Sequence, residues 1–280
     1  MHDCQIYTSE NLASASRESI GGKAWNLCRL IENGIRVPSF YVISSTVLRS
    51  SIGLPSDPSR GDRKDLNVDE VRQRLKDFEF PDPLLQTILS AHAVTFPEGQ
   101  SVAVRSSVAS EDGRRLSFAG MFETILGIDH ADDLCTAIRR VWMSAFSPTV
   151  VAYRDRHGLS GFDDRVAVIV QELVDADRSG VCFTCDPVTG VEDSVVVNSV
   201  FGLGEGIVGR GFAADTYRID RKTKTIDRVI ADKAEQLVLD PTSGEVKIRS
   251  LETQDRSRDT LSDKELTDLA ESALRIESIY

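Results

Sequence analysis

The sequence has no surplus of positive charge. Its 33 Lys and Arg stand against 44 Asp and Glu, a net charge of −11 over 280 residues. A nucleic-acid binder shows a basic face, so that role is not expected here, although a local cationic pocket for an anion remains compatible. No apolar run approaches the ~18–20 residues of a bilayer-crossing helix. The start, Met1-His2-Asp3-Cys4-Gln5, lacks a basic stretch followed by an apolar block. No secretory signal is therefore expected, and the expected location is cytoplasmic. Cysteine is sparse and odd in number, five in all, which fits no disulfide framework. His2, His92, His130 and His157 are scattered without metal-ligand spacing. The sequence also lacks a G-x-S-x-G nucleophile turn, a G-x-x-x-x-G-K-[ST] phosphate loop and a repeat with a period of about 20–50 residues.

What is present is an ordinary globular mix, 41% apolar and 28% charged, long enough for one large domain or two close ones. Periodicity and turn residues predict a mixed α+β chain. Helices are expected over about 23–33, 68–78, 83–92, 131–146, 148–157 and 263–280. The stripe Leu134, Ile138, Val141, Trp142 and Ala145 marks the fourth. The last begins with a Ser262/Glu265 capping box and would bury Leu266, Leu269, Ala270, Ala273 and Ile276. Strands are expected over 40–43, 101–105, 122–128, 165–174, 180–185, 194–201, 215–220 and 225–230. The polar stretches 53–65 and 106–117 read as loops. The character shifts near 160–165, so the expected units are 1–163 and a β-rich 164–280, the second cut short at its C-terminal end.

Five constellations bear on chemistry. In Gly21-Gly22-Lys23, two glycines before a helix let backbone N–H groups approach an anion, and Lys23 adds a cation; the plain alternative is a turn and a solvated lysine. In Val102–Ser107, an Arg at a strand end followed by two hydroxyls suits phosphate; Arg105 could equally pair with Glu111 or Asp112. Ser117-Phe118-Ala119-Gly120 leads to Thr124 and reads either as a backbone lid over a polyphosphate or as a β-turn. The strand ending Gln171-Glu172-Leu173-Val174 can offer backbone and side-chain groups to a purine, or simply end in solvent. Phe201-Gly202-Leu203-Gly204-Glu205-Gly206 lacks G-x-G-x-x-G, and 207–212 is glycine-broken, so a dinucleotide oxidoreductase is a poor fit and a turn carrying Glu205 a better one. Cys182-Phe183-Thr184-Cys185 has no second pair for zinc and reads as inert packing in a buried strand.

The order of these signals, with Val37-Pro38, Ala152-Tyr153-Arg154, Gly180, Asp186-Pro187-Val188-Thr189-Gly190 and Asp215-Thr216-Tyr217, resembles one family over about residues 10–280. It is similar to the N-terminal ATP-binding domain of the phosphoenolpyruvate synthase and pyruvate phosphate dikinase family, which includes rifampin phosphotransferase. The resemblance implies an ATP-grasp-like α+β fold with the nucleotide between two subdomains. It implies that phosphate passes from ATP to a histidine on another domain or chain. It assigns Lys23 and Arg105 to the ATP phosphates and to transfer, Gly120 and Thr124 to the covering loop, Gln171, Glu172 and Val174 to the adenine, and Glu205 to a further nucleotide contact. The Ser-Phe-Ala-Gly loop looks more like the synthase and drug-phosphotransferase branches.

Departures from the family pattern qualify this. The metal-binding Gln-Asp-Ile-Glu-Trp segment and the phosphohistidine domain are absent, so Mg²⁺ ligands are expected beyond residue 280. Cys182 and Cys185 stand where the family has apolar or small residues. The leading expectation is the ATP-binding module of a dikinase-type phosphotransferase. The alternative is a catalytically silent nucleotide-binding module that regulates a partner.

Overall fold

A computed structural model describes residues 5–54, 67–97, 100–109, 120–159, 165–240 and 242–280. The chain divides into two compact units, 1–173 and 174–280. The elements of the first are β1 (Ile6–Tyr7), α1 (Arg17–Glu32), β2 (Phe40–Ile43), α2 (Ser45–Ser51), α3 (Val68–Asp77), α4 (Asp82–Thr95), β3 (Val102–Val108), β4 (Thr124–Ile128), α5 (Ala131–Ser144), α6 (Pro148–Arg156) and β5 (Val166–Glu172). Those of the second are β6 (Arg178–Phe183), β7 (Ser194–Phe201), α7 (Glu205–Val208), β8 (Asp215–Asp220), β9 (Ile226–Val229), β10 (Glu235–Leu239), β11 (Val246–Ser250), α8 (Thr253–Arg256) and α9 (Asp263–Glu277). The chain is thus a mixture of helix and sheet, as expected for α+β. Among the described residues no helix is long and apolar enough to cross a membrane.

The first unit is built on a five-stranded sheet in the order β1-β2-β5-β3-β4. Its centre is β5, whose Val166, Val168 and Val170 are at most 1% exposed. Alternation along the strands sends successive side chains to opposite faces. Tyr41, Ile43, Val102, Val104, Val168 and Val170 join one core with Leu48, Val71, Leu75, Ile88, Ile138 and Trp142 of α2 to α5. Phe40, Val42, Ala167 and Ile169 face the other way, onto Ile20 and Ala24 of α1. Because β5 pairs with both β2 and β3, the unit closes only at Leu173, beyond the expected 163/164 division.

Two local departures bear on function. The strand expected over 101–105 continues to Val108, so Ser106 and Ser107 lie in β3 and not in a loop. Helix α1 begins at Arg17, before the expected Lys23. Ser16 and Ser19 cap it reciprocally, a Ser-for-Glu version of the capping box. The helix is broken inside by Gly21, at φ 77° and ψ 171°. Helix α2 and strands β1, β10 and β11 were not legible as elements. The expected loop over 53–65 falls mostly outside the described residues.

The second unit carries the antiparallel sheet β6-β7-β8-β9 and a separate β10-β11 pair. Helix α9 has the expected Ser262/Glu265 capping box. Its Leu266 and Ala270 are buried against Val195, Val197, Tyr217 and Ile219, and Ala273 and Leu274 pack beside them. Leu269, expected inside, is 38% exposed. The Cys pair is also corrected: Cys182 is exposed on β6, an edge strand, and Cys185 is half-buried. Helix α7 makes one turn that takes in Ile207 and Val208, and 209–212 is irregular as expected.

A buried ion pair organises this unit. Lys233 Nζ lies 2.6 Å from Asp215 Oδ1, with side chains 1% and 0% exposed. Asp215 Oδ1 also accepts from the Ala231 N–H at 2.9 Å, and Oδ2 accepts from the Thr260 N–H at 2.9 Å and the Tyr217 hydroxyl at 3.2 Å. One carboxylate thereby joins β8, the segment before β10 and the approach to α9. Burial pushes the Asp215 carboxyl up, but the bonds from Lys233, Ala231 and Thr260 outweigh it and hold it below its ordinary 3.8. Stability from a depressed carboxyl is present above its unfolded pKa and is lost as pH falls through the folded one. Acid unfolding should therefore draw on this pair below about pH 4, and Asp215→Asn should remove that component of the pH profile. Lys233→Met, which strands the carboxylate, should lower stability by about 3–5 kcal/mol in urea titration.

Candidate functional site

The break in α1 and the end of β3 are built around each other. A Cβ on Gly21 would overlap the Ser107 carbonyl oxygen, so the backbones touch only because the side chain is a hydrogen. The φ and ψ of Gly21 lie in a region that L-residues essentially do not enter. Beyond the break the helix restarts with fresh unpaired N–H groups. One of them, on Ala24, donates to Ser107 Oγ at 3.1 Å. Ser107 therefore acts as a cap supplied from another element. Ser106 is 2% exposed inside the strand.

This contact sets the glycine turn of α1, with Lys23, beside the strand that carries Arg105. Lys23 is half-buried, with Nζ 6.0 Å from the centroid of the Phe122 ring. Phe122 was not singled out in the sequence; the signal was its place between Gly120 and Thr124. Arg105 pairs in register with Thr124 of β4 on one side and Ile169 of β5 on the other. Ala103, Arg105 and Ser107 alternate onto the face that α1 covers, so Thr124 lies on that face too. Gln171 stands opposite Ala103 and Phe40 on the same face, 7% exposed. The first unit thus gathers Lys23, Arg105, Thr124 and Gln171 on one side of its sheet, from four elements. Gly120 is exposed, with open space around it. Ser117, Phe118 and Ala119, and the proposed Arg105 partners Glu111 and Asp112, lie outside the described residues.

Glu172 departs from Gln171. It points to the opposite face, and its Oε2 accepts from the Ser39 N–H at 3.2 Å, while its own N–H donates to the Ser39 carbonyl at 2.9 Å. Its carboxylate locks the ends of β2 and β5 together. Val174 and Glu205 belong to the second unit. Val174 is 50% exposed. Glu205 opens α7, and its carboxylate occupies the space a Cβ on Gly209 would fill. Gly202, at φ 77°, lets Leu237 come so close that a Cβ would overlap the Leu237 carbonyl oxygen. The first glycine of this loop is therefore required by a backbone crossing.

The Asp186–Gly190 motif is likewise a turn. Asp186 Oδ1 accepts from the N–H groups of Val188 and Thr189, and Oδ2 pairs with Arg218 at 2.5 Å. The Arg218 hydrogen bond, with those two N–H groups, holds this carboxyl down to about 2. Among the described residues no three His, Cys, Asp or Glu side chains come together to hold a metal. Among the described residues no all-protein cage for a resident metal ion is therefore formed. His92 lies against the rings of Tyr41 and Phe96, where burial pushes its pKa down, and the His157 ring meets that of Tyr153 at a tilt of 49°.

Comparison with known proteins adds an independent finding. The family model described as pyruvate phosphate dikinase, AMP/ATP-binding domain, matches residues 17–280. A probable phosphoenolpyruvate synthase of Methanocaldococcus jannaschii is 31% identical, over 97% of this chain and 24% of its own length. The phosphoenolpyruvate synthase of Aquifex aeolicus is 32% identical, over 93% of this chain and 34% of its own. A prodigiosin-synthesising transferase of Serratia marcescens is 32% identical, over 93% and 29%. The chain spans about a quarter to a third of the length of these relatives.

The close approach at Gly21 makes a sharp prediction. Gly21→Ala must either straighten the break or push Ser107 away, at a cost of at least about 3 kcal/mol. Urea unfolding should show the midpoint fall without a change in slope; an unchanged midpoint would mean that the backbones do not meet there.

Proposed function

Because the chain belongs to the pyruvate phosphate dikinase AMP/ATP-binding family, we propose that it is the ATP-binding part of a phosphotransferase, synthase-like or rifampin phosphotransferase-like. The observation that carries the proposal is the meeting of Gly21 and Ser107, which draws two cation-bearing segments, distant in sequence, to one side of one sheet. Polyphosphate carries concentrated negative charge, and Lys23 and Arg105 are the cations that would neutralise it. Phosphoryl transfer needs mainly positioning and charge neutralisation, so the groups that bind the phosphates also serve the transfer. Arg105 offers a planar fork for phosphate oxygens and Lys23 a mobile point charge. The Thr124 hydroxyl and the backbone after Gly120 would close over the phosphates. The buried Gln171 amide, with the backbone of Glu172 and Val174, would read the purine edge. Glu205 is a further nucleotide contact in this reading.

The finer fold assignment is ATP-grasp-like. The phosphoryl group would go to a histidine on another domain or chain, consistent with relatives three to four times as long. Magnesium bound together with the ATP would supply further charge neutralisation. Relatives named as synthases and transferases favour an enzyme component over a silent regulatory module.

Calorimetric titration tests the reading. ATP should bind the chain, and Lys23→Ala and Arg105→Ala should each weaken it by about 1.5–3 kcal/mol, about a tenfold to hundredfold rise in Kd. Unchanged affinity in both, with unfolding midpoints intact, would sink the phosphate assignment. Labelled ATP incubated with this chain alone should give no phosphohistidine; label should appear when a histidine-bearing domain of a relative is added.

A further inference from the structure

A cavity of about 470 Å³ opens beside the C-terminal turns of α1 and shares no lining residue with the Lys23, Arg105, Thr124 and Gln171 group. This is the size of a small-molecule site. Its floor is apolar: Leu12, Cys28 and Val37 pack on the buried cluster that holds Phe40. At its edge Ile31 is 48% exposed. Among the lining residues one is charged, Glu32, and none is Lys, Arg or His. Burial, with the Glu32 carboxylate nearby, pushes the Cys28 thiol up to about 11, so at neutral pH that wall is an uncharged, soft apolar surface.

The charge pattern decides what fits. A phosphate or carboxylate would meet the Glu32 carboxylate and no cation among the lining residues, which disfavours anions in this cavity. A second copy of the chain is disfavoured by its own charge of −11. We propose that this cavity binds a small molecule with an aromatic or aliphatic body and one ammonium group, the body on the Leu12, Val37 and Phe40 floor and the ammonium against Glu32. Burying the body supplies the affinity, and the exposed ion pair sets the preference among otherwise equal bodies.

Three probes with a common naphthyl body test this on the whole chain by calorimetry at low salt: 2-(1-naphthyl)ethylamine, 2-(1-naphthyl)ethanol and 1-naphthylacetate. The amine should bind one to one and about two- to fivefold tighter than the alcohol, with the acid weakest. Glu32→Gln should erase the difference between amine and alcohol and leave alcohol binding in place. Ala13→Trp, at an exposed lining position, should abolish binding of both while far-ultraviolet circular dichroism stays unchanged. Absence of saturable binding by all three overturns the proposal, as does equal affinity for all three. Binding that survives Ala13→Trp in a folded variant, or self-association of the chain that this variant dissolves, also overturns it.

Discussion

The approach of Gly21 to Ser107 is the contact on which the first unit's chemistry depends. An uninterrupted α1 would run its side chains past the sheet at a uniform distance. The break lets the backbone drop onto β3 and starts a new helical segment whose first N–H groups face the strand. Ser107 satisfies one of them. The same strand, two residues earlier, carries Arg105, and the same helix, two residues later, carries Lys23. Holding these two cation-bearing segments on one side of the sheet takes an enforced backbone contact. A glycine that admits no Cβ and a hydroxyl locked as a cap are such an enforcement. The cationic locality also contrasts with a chain whose overall charge is strongly negative, which discourages indiscriminate anion binding elsewhere.

The second unit solves its own ordering problem with charge instead of close packing. Its sheet is covered on one face by α9, yet the segments leading into β10 and α9 have few apolar residues to anchor them. Asp215 anchors both, because a carboxylate can accept from several donors at once. Its partners are a side-chain ammonium, a hydroxyl and two backbone N–H groups, so burying the charge leaves little unsatisfied. The Thr260 hydroxyl continues the network to Ser199 and Tyr217. Such a pair contributes less net stability than its Coulomb energy suggests, since both ions are desolvated. What it supplies is a fixed position for Thr260 at the approach to α9, alongside the packing of Leu261 and Leu266 on the core.

Much of this was legible in the sequence where a single periodicity governs. Strand 215–220 and the stripe of α5 follow from period two and period 3.6, with one face of each buried, whereas strands 40–43 and 194–201, buried nearly throughout, show as apolar runs bounded by turns. Legibility failed where a tertiary contact overrides local preference. Ser106 and Ser107 read as loop because hydroxyls favour turns, but β5 holds them in a strand by pairing. Helix α2, rich in Ser and β-branched residues, has weak intrinsic propensity and exists because Val47 and Leu48 are buried. Cys182 was read as interior from its apolar neighbours, whereas β6 is an edge strand with one covered face at most. For the site, the motif residues were visible but their geometry was not. That Gln171 and Glu172 face opposite ways follows from strand alternation alone; that Glu172 clamps Ser39 required the pairing of β2 with β5.

The glycines show why a motif and a site are different objects. Gly21 and Gly202 both stand in segments that look like anion loops, and both are required by a carbonyl oxygen of the chain itself. Their function is to let two backbones meet, and any ligand is served indirectly by the residues that the meeting brings near. At Gly21 those neighbours are Lys23 and Arg105, chemically suited to phosphate. At Gly202 they are a hairpin strand and a one-turn helix, whose Glu205 lies folded over Gly209. The same backbone device therefore supports a ligand-directed reading in the first unit more strongly than in the second. The difference lies in the side chains assembled around the glycine and not in the glycine pattern.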